Sequence, residues 1–213
     1  MNEYKIIKID DYKRKDHFNY FRSLPYPYVG VTCDVDVSEL KKFTHQNNYS
    51  FYLTFMHAVA LAADEIAELR QRINGDNIIE YNECPTSHTE LIDDGTYCYC
   101  TLYHHMPFTE YIEYANKERE KCKHKPSIDE EENVDQMYFI TSLPWLNYTS
   151  LIQPVAGNDE SNPRISWGKY KEIDSRLMMP VSILVHHSLV DGVQIGKFYE
   201  LLNVKMHDII NEK

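Results

Sequence analysis

The chain has 213 residues, 43% of them hydrophobic, with only seven Gly and nine Pro, a composition that predicts one compact domain over residues 1–213 rather than a linker-rich assembly. A formal charge of -11 argues against a nucleic-acid partner and means that long-range attraction does not recruit anionic ligands. The five cysteines are odd in number and contain no C-x-x-C pair; with no basic-then-apolar leader and no apolar run of about eighteen residues, they predict a cytoplasmic protein with free thiols and no membrane partner.

Taken in order, Tyr28 to Val37 places Val29, Val31, Cys33, Val35 and Val37 on one face, the period-two pattern of a half-buried strand. Ser38 then opens a helix. From Phe51 to Leu69 the set Met56, Val59, Ala60, Ala63, Ile66 and Ala67 recurs at spacings of three and four, predicting a helix with one buried face. Strand-like runs follow at Asn77 to Tyr81, Thr89 to Ile92 and Tyr97 to Tyr103, then a helix from Phe108 to Cys122. The charged stretch Lys117 to Gln136 reads as a helix end and a loop. Further strands are predicted at Met137 to Ser142, Arg164 to Tyr170 and Leu177 to His186, the last nearly continuous in apolar residues, with Pro180 tolerated near its start or at an edge. Asp191 and Gln194 have the spacing of a capping box, opening a helix that runs through Ile195, Phe198, Leu202 and Ile209. The class is α+β, a mixed sheet flanked by helices.

The last strand delivers His186 and His187 onto a turn just ahead of a helix. An imidazole held by two rigid elements is suited to accept a hydroxyl proton near neutral pH. A His pair can equally be a packing feature, and Asp191 can be a helix cap and nothing more.

The run His186-His187-Ser188-Leu189-Val190-Asp191-Gly192 resembles the H-H-x-x-x-D-G signature of the chloramphenicol acetyltransferases. Tyr12 to Phe21, Phe51-Tyr52, Glu68-Leu69-Arg70, Thr141-Ser142-Leu143-Pro144-Trp145 and Gly168-Lys169-Tyr170 are similar to that family in the same order, so the resemblance spans the chain. It implies transfer of an acetyl group from acetyl-CoA to a hydroxyl of a small aromatic acceptor, chloramphenicol first, without an acyl-enzyme. His187 would be the general base, His186 structural, and Asp191 would pair with Arg14 to hold the turn. Thr141 falls at the family's oxyanion-donor serine and Ser166 at a threonine that orders a water. Both are conservative departures, and both residues would also suit ordinary sheet packing.

Tyr20, Phe21, Leu24 and Tyr97 fall where the family lines its acceptor pocket, although in a chain with 17 tyrosines they can also be core aromatics. Ile128, Leu151 and Gln153 depart from it, standing where a large aromatic, another aromatic and an aliphatic residue are expected, and the chain between Trp145 and Ser166 is slightly short. The same resemblance implies a cofactor side at Trp145, Tyr148 and Lys169 and a homotrimer with active sites between subunits. Two other readings remain open. One is a metal site drawing on His104-His105 or His186-His187, against which stands the lack of any His-x-x-x-His or His-Glu-x-x-His spacing, so no metal is expected. The other is a protein that binds coenzyme A or an aromatic ligand without turning it over.

Overall fold

The long apolar run near the carboxyl end is covered on both edges by other strands and on one face by helices, as an apolar strand must be. A computed structural model describes residues 4–128 and 133–212. Its elements are β1 (Tyr4–Lys8), α1 (Lys15–Arg22), β2 (Tyr28–Asp36), α2 (Ser38–Gln46), α3 (Phe51–Asp64), β3 (Gln71–Asn74), β4 (Asn77–Tyr81), β5 (Thr86–Leu91), β6 (Tyr97–Leu102), α4 (Phe108–His124), β7 (Tyr138–Leu143), β8 (Arg164–Gly168), β9 (Lys171–Ile173), β10 (Arg176–His186) and α5 (Gly192–Asn211).

The main sheet runs β2-β10-β8-β7-β5-β6, with β9 also on β10, and a small sheet runs β1-β4-β3. Strands β5, β7 and β8 pair in parallel and the other neighbours are antiparallel, so the sheet is mixed and the class α+β, as the sequence predicts.

Register decides which side chains share a face. Ile140, Ile165, Ile183 and Val31 lie side by side across four strands, and the next rung carries Thr141, Ser166, Ser182 and Thr32. The isoleucine face meets α3, which is buried at every residue from Leu53 to Ala60 and packs in turn on α2, α4 and α5. Phe55 meets Trp167 edge-on at 5.0 Å across this contact. Among the described residues no helix packs on the hydroxyl face.

The sequence and the fold differ at several places. The helix predicted to Leu69 ends at Asp64, because Ile66 is extended (φ -109°, ψ 108°) and residues 67–70 form a 3-10 turn that keeps Leu69 in the core. The helical spacing survives the turn, which is why periodicity alone overran it. Pro180 stands mid-strand in β10, at the point where the partner on one side changes from β9 to β8, so the residue lacking an N–H meets a break in pairing. Val31, on the expected apolar face, is 38% exposed because β2 is an edge strand. Strands β1, β3 and β9 and helix α1 have no counterpart among the predicted elements. The loop read over Lys117 to Gln136 is helical to His124, and its residues 129–132 lie outside the described residues.

Candidate active site

Residues 187–191 join β10 to α5 and are tied down on every side. Asp191 Oδ1 accepts the Val193 N–H at 3.0 Å and Gln194 Oε1 accepts the Asp191 N–H at 3.2 Å, completing the capping box. Arg14, at the start of α1, reaches Asp191 Oδ2 at 3.1 Å. Ser188 Oγ donates to the Phe18 carbonyl at 3.0 Å, and the His187 N–H donates to the Pro27 carbonyl at 2.8 Å.

The two histidines are held in opposite ways. His186 is buried, its Nδ1 accepts the Ser188 N–H at 3.2 Å, and its Nε2 donates to the Asn158 carbonyl at 2.7 Å. Burial pushes its pKa down, so His186 stays neutral with both nitrogens engaged. His187 is half-buried and its Nδ1 lies 3.0 Å from the Val190 carbonyl. A carbonyl only accepts, so Nδ1 carries a proton, and in the neutral ring Nε2 is the nitrogen with the free lone pair. Phe21 stacks on the ring at 3.8 Å and 12°. The result is an oriented imidazole whose Nε2 has no hydrogen bond among the described residues.

On the hydroxyl face, Thr32 Oγ1 and Ser182 Oγ are 2.7 Å apart, Ser182 Oγ donates to the Tyr148 hydroxyl at 3.3 Å, and Gln153 Nε2 donates to Ser166 Oγ at 2.6 Å. A cavity of about 630 Å³ contains Thr141, Tyr97, Leu151, Gln153 and Arg164 in its wall. A second, of about 360 Å³, has Ser166, Ser182 and Tyr28 in its wall and shares Leu151, Gln153 and Arg164 with the first. Gln153 therefore stands between the two cavities and hydrogen-bonds the hydroxyl row.

The predicted site residues fall into separate groups. Phe21, with Tyr20 edge-on to it at 5.1 Å, stands with His187, and Leu24 closes the turn after α1 through its N–H to the Phe21 carbonyl at 3.0 Å. Tyr97 stands instead with Thr141. Trp145, Tyr148 and Lys169 gather at the end of β8, where the Lys169 N–H donates to the Leu146 carbonyl at 2.7 Å and Tyr148 lies against Gly168. Ile128 is 66% exposed and lies outside the walls of both cavities. Most consequentially, Ser182 marks the hydroxyl row on β10 and His187 follows five residues later, roughly 16 Å farther along the strand direction. Within one chain, His187 and the hydroxyl row are not brought together.

Sequence reasoning missed Thr32 and Ser182, which only strand register places beside Ser166, and Arg164, which borders both cavities. The two histidine pairs do not combine either: His104 and His105 turn toward Asp64, away from His186 and His187.

Residues 1–203 match the family model for chloramphenicol acetyltransferase. The chain belongs to that family. Family membership makes it an acetyl-CoA-dependent acetyltransferase. A chloramphenicol acetyltransferase of Proteus mirabilis is 24% identical over 195 residues, covering 90% of this chain and 89% of the relative. Chloramphenicol acetyltransferase 3 of Escherichia coli is 27% identical over 218 residues, covering 95% and 99%. Among solved structures, a chloramphenicol acetyltransferase superposes with a TM-score of 0.85 at 23% identity over 95% of this chain and 99% of the other, and a probable dihydrolipoamide acetyltransferase from Listeria monocytogenes with 0.67 at 16% over 93% and 91%. These likenesses extend the α+β fold to the whole length described above.

Proposed function

We propose that this acetyltransferase acts on a hydroxyl of a small aromatic acceptor, chloramphenicol first, with His187 as general base. The observation that carries the reading is the His187 ring itself: Nδ1 is spent on the Val190 carbonyl, the plane is fixed by Phe21, and Nε2 is left as the proton acceptor. His187 Nε2 removes the acceptor's hydroxyl proton and returns it to the departing sulfur. The Thr141 hydroxyl donates to the oxygen that gains charge at the thioester carbonyl, and Ser166 holds a water beside it. Bound acetyl-CoA supplies the activated acetyl group. Trp145, Tyr148 and Lys169 would hold it, an exposed aromatic and an ammonium beside a cavity suiting a nucleotide with phosphates.

Because His187 and the hydroxyl row stand apart in one chain, the complete site takes His187 from one copy and Thr141 and Ser166 from the next. A homotrimer closes such head-to-tail contacts without leaving a free end. Exposed Tyr97, Tyr103, Trp145, Leu146 and Ile152 on or beside the uncovered sheet face support this association. Gln153 favours a departure in the acceptor, since an amide that donates to Ser166 at the cavity wall suits a polar substituent better than an aliphatic residue would. Five free cysteines and the lack of any described helix able to cross a membrane support a cytoplasmic setting.

The test is release of coenzyme A thiol from acetyl-CoA with and without chloramphenicol, in the parent protein and in His187→Ala. Chloramphenicol-dependent release that disappears in the variant supports base and acceptor together. Release with other hydroxylated aryl compounds but not with chloramphenicol overturns the acceptor alone. No release with any of them, while acetyl-CoA still binds, replaces catalysis with a binding role. Mixing His187→Ala with Thr141→Val chains should restore about a quarter of the parent sites if each site is shared between two copies, and none if it is not.

A further inference from the structure

Asp64, the last residue of α3, is 7% exposed, and its two oxygens are used differently. Oδ1 accepts the Tyr138 hydroxyl at 2.7 Å, and the Cys84 N–H is shared between Oδ1 at 3.2 Å and Oδ2 at 3.3 Å. Oδ2 faces two imidazoles, His104 Nε2 at 2.9 Å and His105 Nε2 at 2.7 Å. Glu83 Oε2 stands 3.7 Å from the same His105 nitrogen. Asp64, His104 and His105 each offer a ligand atom, all within 4.8 Å of one another.

We infer that Asp64, His104 and His105 form a three-residue binding site for a divalent transition-metal ion of the zinc class, with Glu83 beside His105 near its open side. Two imidazoles and one carboxylate are a borderline-soft donor set that suits zinc, cobalt or nickel and not calcium or magnesium, with a fourth position left for Glu83 or a water. In a tetrahedral zinc site neighbouring ligand atoms stand about 3.3 Å apart; here Asp64 Oδ2 lies 2.9 and 2.7 Å from the two imidazole nitrogens, and all three ligand atoms lie within 4.8 Å of one another. Small rotations would open the pocket. Tyr138 and the Cys84 N–H fix the buried carboxylate from behind, the outer-shell support that metal ligands require. His105 and Glu83 have side chains 48% and 42% exposed, which leaves a route for the ion. Asp64 in the cluster and Glu83 beside it place two carboxylates next to the site, offsetting a dication's charge.

In the metal-free chain each Nε2 must carry a proton to donate to Asp64; on metal binding that proton moves to Nδ1. His104 Nδ1 is buried without a partner, so exchanging the Nε2 bond for a metal bond creates no additional buried orphan. Tyr138 points to the helix-covered side of β7 and Thr141, three residues on, to the other side, so the ion would not meet the substrates. It would instead clamp the end of α3 to the segments before β5 and after β6. Neither histidine spacing nor any single element announces the site; it comes from three segments meeting.

The experiment is titration of chelator-treated full-length protein with cobalt(II) or zinc(II) alone, read by calorimetric stoichiometry, cobalt absorption and thermal unfolding. The expected result is one ion per chain, affinity lowered tenfold or more in His105→Ala, and melting raised by roughly 5–10 °C at a hundredfold excess over Kd in the parent but not in that variant. His105 is half-exposed, so its removal should leave the fold intact, which circular dichroism checks. His187→Ala and His207→Ala should bind as the parent does, separating this site from the base and from exposed α5. Absence of stoichiometric binding, equal binding in His105→Ala, or loss in His187→Ala or His207→Ala would each overturn the assignment.

Discussion

The turn that carries His187 and the segment between β7 and β8 are held in different ways. In the turn, Asp191, Gln194, Arg14, Ser188 and Pro27 all make bonds that fix its path, and Phe21 fixes the ring. Residues 144–163 contain neither helix nor strand and are held through side chains and distant partners, by Gln153 on Ser166, Asn147 Nδ2 on the Lys169 carbonyl at 2.8 Å, Asp159 on Arg22 at 2.7 Å, His186 on the Asn158 carbonyl and Asn162 on the Val134 and Met137 carbonyls. A base must be placed to a fraction of an ångström, whereas a substrate wall is better carried by a segment that tolerates change. Under the proposed function, reaction class and acceptor choice would then be encoded in separable parts of the chain.

The strongest way to break that separation is His187→Ala, which should lower turnover about 10²–10⁴-fold with every acceptor alike while unfolding stays unchanged; a loss confined to one acceptor would merge the two roles. Acid distinguishes both regions from the core beneath them. His57 is 1% exposed and its pKa falls to about 4, mainly through burial and further through nearby His104 and His105, against its hydrogen bond to the His104 carbonyl. Its folded pKa lies below the unfolded value, so its contribution is complete above about pH 6.5 and is lost as the pH falls toward 4, by up to about 3 kcal/mol. Denaturant unfolding across that range should show the loss, and His57→Gln should flatten it.

Smaller effects should follow in the wall. A Cβ on Gly168 would stand 2.4 Å from the Leu146 carbonyl oxygen and 2.9 Å from the Tyr148 ring. Gly168→Ala should therefore cost about 1–3 kcal/mol and raise KM for acetyl-CoA more than it lowers kcat with saturating donor. Gln153→Leu should change the ratio of kcat/KM between polar and apolar acceptors by about tenfold and leave the donor KM unchanged; an equal fall for all acceptors would place Gln153 in the chemistry rather than in selection.

The sequence by itself determined the elements whose signals are local. The capping box at Asp191, the strand that ends at His186 and the burial of α3 are each written within one stretch of chain, where neighbouring residues and period decide the outcome. The mixed sheet followed from those strands, and the family signature pointed to His187. Tertiary structure alone decided the rest. The end of α3 at Asp64 is invisible to periodicity because Ile66 and Leu69 keep facing the core through a turn. Thr32 and Ser182 join Thr141 and Ser166 only through strand register, a long-range property that no single stretch carries. The gap between His187 and that row, and the meeting of Asp64 with His104 and His105, depend on how distant segments pack, because the distance between two side chains in space is set by the fold and not by their separation along the chain.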